Sequence, residues 1–134
     1  MMEIDGPRMI LLIDDDDGAR EATANLLRSR GYQVRSFDSG RAFLDWNGPR
    51  DSVSCAIMDI MMPEIDGFEL RRRLADAGHR FPVIFLTALT DASSRTRMRE
   101  CGVHDILTKP CSERHLIDCI ESALALHRRA ARPS

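Results

Sequence analysis

A chain of 134 residues, 43% hydrophobic and 30% charged, has room for one folded domain with a single core. Its formal net charge of −2 at pH 7 does not mark the whole chain as a binder of nucleic acid or anionic membranes. The longest early apolar run, residues 9–13, is too short for a signal peptide or a membrane span. The sequence therefore predicts a cytoplasmic protein without membrane contact.

Short apolar runs alternate with longer amphipathic stretches along the chain, which is typical of βα units. We predict strands at residues 9–13, 32–37, 55–58, 83–86 and 105–107. The first, third and fourth runs are apolar throughout, as expected of central strands in a parallel sheet covered on both faces. Right-handed crossovers between the strands then predict a three-layer α/β domain with five βα units.

Helix signals lie between these strands. After a run of four aspartates at residues 14–17, Ala19, Ala22 and Leu26 lie at helical spacing, and Gly31 ends the first helix. The last two aspartates of the run are expected to cap this helix and to favour its positive end. The first two are left for another role.

Two later helices have equally clear ends. One is predicted between Asp66 and Gly78, with apolar positions Leu70, Leu74 and Ala77. The last and longest helix should begin at Ser112 as its N-cap. Its predicted buried face consists of Leu116, Ile117, Ile120 and Leu124.

The remaining segments are less apolar. Residues 91–101 predict a helix with little apolar surface besides Met98, which should be marginally packed. Residues 47–52 are predicted to form a loop. We expect an N-terminal extension at 1–8, a folded domain at 9–127, and a basic tail or the start of a linker at 128–134.

The cysteines give a weak signal. No CxxC pair occurs, so reduced thiols are expected at Cys55, Cys101, Cys111 and Cys119. Cys111, His115 and Cys119 recur every four residues and offer zinc-ligand chemistry, but structural zinc usually takes four ligands at other spacings. Buried thiols and a partly exposed histidine are the favoured interpretation.

Polar side chains directly follow four of the predicted strands. Asp14 and Asp15 follow the first strand, Asp59 the third, Thr87 the fourth and Lys109 the fifth. In such a sheet ligands bind beyond the carboxyl ends of the strands, so these groups should converge at one edge. A single aspartate there is more often a cap or turn residue, but the whole set is not explained that way.

The chemistry of this set points to phosphoryl transfer. Three carboxylates with room for water suit Mg²⁺, and Lys109 can meet a further anion. Phosphoryl transfer requires little beyond positioning and charge neutralisation, so Asp59 is predicted to be the nucleophile that forms an aspartyl phosphate. Thr87 offers a hydrogen bond to a phosphoryl oxygen.

Four stretches, in this order and spacing, resemble the receiver domain of two-component response regulators: "LLIDDDDGAR", "IMDIMMPEIDGFEL", "FLTAL" and "LTKP". The resemblance spans residues 9 to about 126. It implies a CheY-like fold with strand order 2-1-3-4-5. "FPVIFLTAL" and "LTKP" are similar to receivers joined to a helix-turn-helix domain, as in FixJ-like transcriptional regulators.

The resemblance also implies residue roles. Asp59 would be phosphorylated by the phosphohistidine of a sensor histidine kinase, and the domain would catalyse its own phosphorylation and dephosphorylation without being an enzyme for other substrates. Asp15 and Asp59 would bind Mg²⁺ directly, Asp14 through water, and Met61 through its carbonyl. Thr87, Ala88 and Lys109 would contact the phosphoryl group. The bond between Lys109 and Pro110 would be cis.

Signal output is implied at the face made by helix four, strand five and helix five, which also serves as a dimer contact in the family. Two residues depart from the family pattern: Ile106 stands where an aromatic switch residue is usual, and Cys111 stands where phenylalanine usually follows "KP". An aromatic rotamer switch at residue 106 therefore cannot operate. A DNA-binding output domain, if one exists, is absent from this chain.

Two other classes fit parts of the sequence. Residues 15–18 can be read as the DxDG motif of haloacid-dehalogenase-type phosphatases, with Asp15 as nucleophile and Asp17 as general acid. No paired acidic motif follows strand four, however, and the chain leaves little room for a cap. A receiver fold used only as a binding module, without phosphate, is the other alternative.

Overall fold

A parallel five-stranded sheet forms the centre of the molecule, in the order β2-β1-β3-β4-β5. A computed structural model describes residues 8–89 and 91–131, with side chains as far as His127. The strands are β1 Met9–Ile13, β2 Gln33–Phe37, β3 Val53–Met58, β4 Val83–Thr87 and β5 Asp105–Thr108. The helices are α1 Asp17–Ser29, α2 Gly40–Leu44, α3 Gly67–Asp76, α4 Ala92–Glu100 and α5 Glu113–Ala131. The predicted fold class and strand order are confirmed.

The strand predictions differ from the structure by at most two residues at either end. β3 begins two residues earlier than predicted, because Val53 and Ser54 also pair in the sheet. The second helix, for which no residue range was predicted, is only five residues long. It begins after Ser39, whose hydroxyl accepts a hydrogen bond from the Ala42 amide. Part of the predicted loop at 47–52 is a 3-10 turn at Arg50–Ser52.

Successive side chains along each strand point to opposite faces of the sheet, so the core consists of two layers, one on each face. In β1, Leu11 and Ile13 face α2, α3 and α4, whereas Ile10 and Leu12 face α1 and α5. All four side chains are nearly or fully buried. Central strands with both faces covered explain why these runs contain only apolar residues.

The predicted faces of the helices are partly wrong. On α1 the buried residues are Ala24 and Leu27, whereas Ala22 is exposed and Leu26 is half-buried. On α3, Leu70 and Leu74 are buried as predicted, but Ala77 is the exposed C-cap residue. An alanine adds little area to either face, so its spacing does not determine which side meets the core.

The predicted caps agree with the structure. Asp16 is the N-cap of α1, and its carboxylate accepts a hydrogen bond from the Ala19 amide at 3.2 Å. The Ser112 hydroxyl accepts from the His115 amide at 3.0 Å, at the start of α5. On α5, Leu116, Ile120 and Leu124 are buried, and Ile117 is half-buried.

Helix α4 has the smallest contact with the core, as its composition predicted. Met98 is its single buried residue. Two polar contacts add to this packing: Arg97 stacks on the Phe68 ring at 4.0 Å from the centroid, and the guanidinium of Arg95 donates to the Thr108 hydroxyl at 3.3 Å. An element held by so few buried groups opens at low free energy.

The ends of the chain lie partly outside the described residues. α5 continues to Ala131, so the first part of the predicted tail at 128–134 extends this helix. Residues 1–7 of the predicted extension and residues 132–134 are outside the described part, and the division at 9–127 remains a prediction. Within residues 8–89 and 91–131, no helix combines the length and apolar character needed to span a bilayer.

Candidate functional site

The carboxylates lie where the central strands end. The Asp14 amide donates to the Phe37 carbonyl at 3.2 Å, and the Asp59 amide donates to the Ile13 carbonyl at 3.0 Å. These bonds continue the sheet ladder one residue past β1 and β3. The backbone of both aspartates is therefore fixed by the most buried part of the fold.

Three carboxylates meet at this edge. One oxygen from each of Asp14, Asp15 and Asp59 lies within 4.8 Å of the other two. Asp14 is buried, Asp59 is half-buried and Asp15 is exposed. The Ile60 amide donates to Asp59 Oδ1 at 2.7 Å and orients that carboxylate.

Lys109 bridges two of these acids. Its Nζ lies 2.9 Å from Asp14 Oδ2 and 3.2 Å from Asp59 Oδ2. Its amide donates to the Thr87 carbonyl at 2.8 Å, so the end of β4 fixes the backbone from which this side chain extends. The ammonium neutralises part of the charge that the clustered carboxylates carry.

The pKa values of this pair shift for opposing reasons. Burial raises the pKa of Asp59, the Lys109 ammonium lowers it, and the Asp14 charge raises it again, with a net rise. Burial lowers the pKa of Lys109, but its hydrogen bond to Asp14 and the charge of Asp59 raise it more. The ammonium form of Lys109 is therefore held by the acids beside it.

The donor set fits a hard divalent cation. Carboxylate oxygens are the ligands that Mg²⁺ prefers, and the exposure of Asp15 leaves space for water on that side. Met61, predicted to contribute its carbonyl, follows in the loop after β3, and 63% of this residue is exposed. Its ligand role stays a prediction.

The threonine at the end of β4 is fully buried. Its hydroxyl accepts a hydrogen bond from the Leu89 amide at 3.1 Å, so the Thr87 side chain holds the loop that leads to α4. Ala88, between them, is exposed. Their predicted contacts with a phosphoryl group remain predictions.

Gly67, at the start of α3, lies in close contact with the backbone of residues 59 and 60. A Cβ added at Gly67 would lie 2.6 Å from the Asp59 carbonyl oxygen, which is too close for any side chain. The Gly67 amide also donates to the Ile60 carbonyl at 2.8 Å. The start of α3 therefore packs directly on the backbone that carries Asp59.

One contributor was missed by the sequence analysis. The guanidinium of Arg20 donates to the Asp14 carbonyl at 2.8 Å and to Asp17 Oδ1 at 2.6 Å. Arg20 thus supplies a cation to the aspartate run from within the same helix. The three-residue spacing between Asp17 and Arg20 was the available signal, since such pairs are neighbours on a helix.

The cysteines do not form a metal site. Within the described residues, the aspartate cluster is the single group with metal-binding geometry. The Cys119 thiol donates to Asp105 Oδ2 at 3.4 Å, and burial followed by the Asp105 charge raises its pKa to about 12. All four cysteines are free, as expected.

Of the two departures from the family pattern, Ile106 lies within β5 and Cys111 lies two residues before the start of α5. Ile106 is half-buried against the core layer that α4 covers. Cys111 is half-buried and follows the Lys109–Pro110 bond, which is cis as predicted.

An apolar groove of about 500 Å³ lies between α1 and the start of α5. Its walls include Ala19, Ala22, Leu26, Cys111 and Leu116, and Lys109 lies at its edge. The predicted apolar positions of α1 therefore line this surface groove. It opens beside the ammonium that contacts Asp59.

Comparison with known proteins identifies the family and several relatives of this chain. The model of the response regulator receiver domain family matches residues 10–121. The response regulator protein TmoT of Ectopseudomonas mendocina is 36% identical over 122 residues, which cover 91% of this chain and 55% of that protein. The transcriptional regulatory protein FixJ of Bradyrhizobium diazoefficiens is 36% identical over 92% of this chain and 60% of that protein.

A solved structure of the response regulator StyR superposes with a TM-score of 0.84 at 35% identity, covering 95% of this chain and 65% of that one. The chain spans 55% and 60% of the lengths of TmoT and FixJ.

Proposed function

Since this chain belongs to the receiver-domain family of two-component response regulators, we propose that it accepts a phosphoryl group on Asp59 from the phosphohistidine of a sensor histidine kinase. The observation that carries the proposal is the double contact of Lys109 Nζ, at 2.9 Å from Asp14 and 3.2 Å from Asp59. A lysine at this point neutralises a carboxylate and remains beside any phosphoryl group attached to it.

The reaction is a displacement at phosphorus. An Asp59 carboxylate oxygen attacks, the P–N bond to the donor imidazole breaks, and its electron pair stays on that nitrogen, which is left as neutral histidine once protonated. Mg²⁺ held by Asp14, Asp15 and Asp59 would reduce the negative charge on the phosphoryl oxygens. Because the chain itself supplies the carboxylates and the Lys109 ammonium, we propose that it promotes both its own phosphorylation and the later hydrolysis of the aspartyl phosphate.

The proposed output runs through the loop after β4. A new doubly negative group on Asp59 would attract the Thr87 hydroxyl, which now accepts from the Leu89 amide at 3.1 Å. Losing that bond would release the loop before α4, where Met98 is the single buried residue. A difference of a few kcal/mol is enough to shift the position of α4. The aliphatic side chain of Ile106 would move together with α4, in place of an aromatic switch residue.

Partners form part of the same proposal. The α1–α5 groove, apolar and open beside Lys109, is proposed to receive the donor helix of the kinase. A DNA-binding output domain and transcriptional control are proposed from FixJ, which is described as a transcriptional regulatory protein. A cytoplasmic location and a homodimer through α4, β5 and α5 are proposed from the family.

The rival classes have less support. A phosphatase that uses Asp15 needs that carboxylate activated, yet Lys109 contacts Asp14 and Asp59. A binding module without phosphate has no need for three converging carboxylates and a lysine.

A labelling experiment tests the proposal. The protein is incubated with acetyl phosphate and Mg²⁺, and intact mass and peptide mapping locate the added phosphoryl group. We expect one group per chain at Asp59, none in Asp59→Asn, and unchanged labelling in Asp118→Asn, a control at an exposed position on α5. Labelling at Asp15 would support the phosphatase class, and absence of labelling would support the passive module.

A further inference from the structure

The helices α3 and α4 form a basic face on a chain of net charge −2. Together they carry six arginines and three acids. The arginines are Arg71, Arg72, Arg73, Arg95, Arg97 and Arg99, and the acids are Glu69, Asp76 and Glu100. The excess of positive charge is therefore concentrated on one side of the sheet.

Pairing on this face is concentrated in α3. Glu69 accepts from both Arg72 and Arg73, and these hydrogen bonds lower its pKa to about 2. Asp76 pairs with Arg72 at 2.8 Å. Within the described residues, Arg71 and Arg97 have no ion pair, so their charges are available to an outside anion.

Arg71 is unusual because part of its guanidinium is enclosed. Its Nε is buried and has no hydrogen-bond acceptor among the described residues. A charged group that lacks an acceptor in the folded chain is costly, so a carboxylate that binds the part of Arg71 lining the groove is favoured.

A groove between α3 and α4, the α3–α4 groove, brings these arginines together. It has a volume of about 360 Å³ and is lined by Phe68, Arg71, Arg72, Ala75, Arg97 and Cys101. The Arg97 guanidinium stacks on the Phe68 ring at 4.0 Å. The groove thus combines an apolar floor with a rim of guanidinium groups.

We propose that the α3–α4 groove binds an acidic peptide segment of a partner protein that also presents one apolar side chain. Guanidinium groups bind carboxylates through paired hydrogen bonds, and stacking on an aromatic ring limits the entropy that Arg97 loses on binding. The apolar part of the lining, which includes Ala75 and Cys101, favours a peptide over a nucleic-acid backbone, because a backbone offers phosphates but no aliphatic side chain to pack there. Helix grooves with apolar floors commonly receive such segments.

This inference does not depend on phosphorylation. The groove lies on the face of the sheet opposite α1 and α5, and Asp59 is not among its lining residues. The variant Asp59→Asn should bind the peptide as the parent chain does. Failure of phosphorylation and failure of peptide binding are therefore separate outcomes.

The test measures fluorescence anisotropy of a short fluorescein-labelled peptide of aspartate and glutamate with one central leucine, titrated with the full chain at low ionic strength. We expect saturable binding that weakens at least about tenfold in Arg71→Gln and in Arg97→Glu. Arg114→Glu, an exposed site on α5, is the charge control and should change affinity by less than about twofold. Replacing the leucine with serine should weaken binding, and replacing the acids with glutamine should abolish it.

Amide chemical-shift mapping on the parent chain supplies a readout that needs no variant. Shifts concentrated on α3 and α4 support the proposal. It is overturned by absence of saturable binding, by an equal loss in Arg114→Glu, or by shifts centred on another surface. Tighter binding of duplex DNA with the same arginine dependence, or self-association that Arg97→Glu removes, would also overturn it in favour of those occupants.

Discussion

Strand β3 and helix α4 have nearly opposite environments. Five of the six residues of β3 are buried, whereas α4 buries Met98 alone. β3 fixes the position of Asp59 through the sheet, while α4 is held by one buried side chain and a few polar contacts. The well-packed strand β3 therefore positions the Asp59 carboxylate, whereas the loosely packed helix α4 is the element that can move.

The largest expected effect comes from truncating one buried side chain on β4, the strand that pairs with β3, and one on α4. Phe85→Ala removes a fully buried ring that packs edge-on against Phe68, and we expect it to lower the free energy of unfolding by about 3–5 kcal/mol. Met98→Ala should cost about 2 kcal/mol, at the lower end for such truncations, because α4 can separate from the core by itself.

Urea unfolding and amide hydrogen exchange distinguish these two outcomes. We expect Phe85→Ala to increase exchange throughout the sheet and Met98→Ala to increase it mainly in α4. Equal costs with identical exchange patterns would remove the distinction between the two regions.

A smaller effect is expected at the contact between α3 and β3. Gly67→Ala places a Cβ 2.6 Å from the Asp59 carbonyl oxygen, so the backbone must shift, at a cost of about 1–3 kcal/mol. The matched control is Gly18→Ala in α1, where the nearest atom is at 3.6 Å and alanine should be neutral or stabilising by up to about 1 kcal/mol. Thermal unfolding of both variants measures the difference, and similar melting temperatures would contradict the rigid contact.

The smallest effect concerns the charge of Asp59. Its pKa is raised above the ordinary value near 3.8, chiefly by burial, so the folded state binds a proton more readily than the unfolded chain. Stability contributed by this group therefore increases as pH falls through the raised pKa, and each unit of elevation corresponds to about 1.4 kcal/mol.

The variant Asp59→Asn should consequently be more stable than the parent chain at neutral pH without divalent cations. The gain should disappear as pH falls through the raised pKa of Asp59. Urea unfolding at a series of pH values measures this, and a variant less stable at neutral pH would show that the Lys109 contact outweighs burial.

The sequence predicts the strands of the central sheet more accurately than the helices. The apolar run at 55–58 ends directly at Asp59 because a central strand tolerates no charge until it leaves the sheet. Convergence of Asp14, Asp59 and Lys109 at one edge followed from their positions just after apolar runs of a parallel sheet. The contacts of Lys109 did not follow from the sequence. Lys109 was predicted to meet a further anion, whereas in the structure it contacts both Asp14 and Asp59.

Other features depend on tertiary contacts that spacing does not encode. α2 has five residues, too few for a periodic signal. Ala22 follows helical spacing yet lines the α1–α5 groove, because the core side of α1 is determined by Leu27. The reach of Arg20 to the Asp14 carbonyl depends on a long side chain whose direction only the fold determines.

The cysteines have a practical consequence for measuring motion. Cys55 and Cys119 are buried and burial raises their thiol pKa values, so alkylating reagents should leave them unmodified in the folded chain. Cys101 closes α4 and Cys111 precedes α5, and both are partly accessible. Spectroscopic labels attached to these two native thiols would bracket β5 and report, as a distance, whether α4 moves relative to the start of α5.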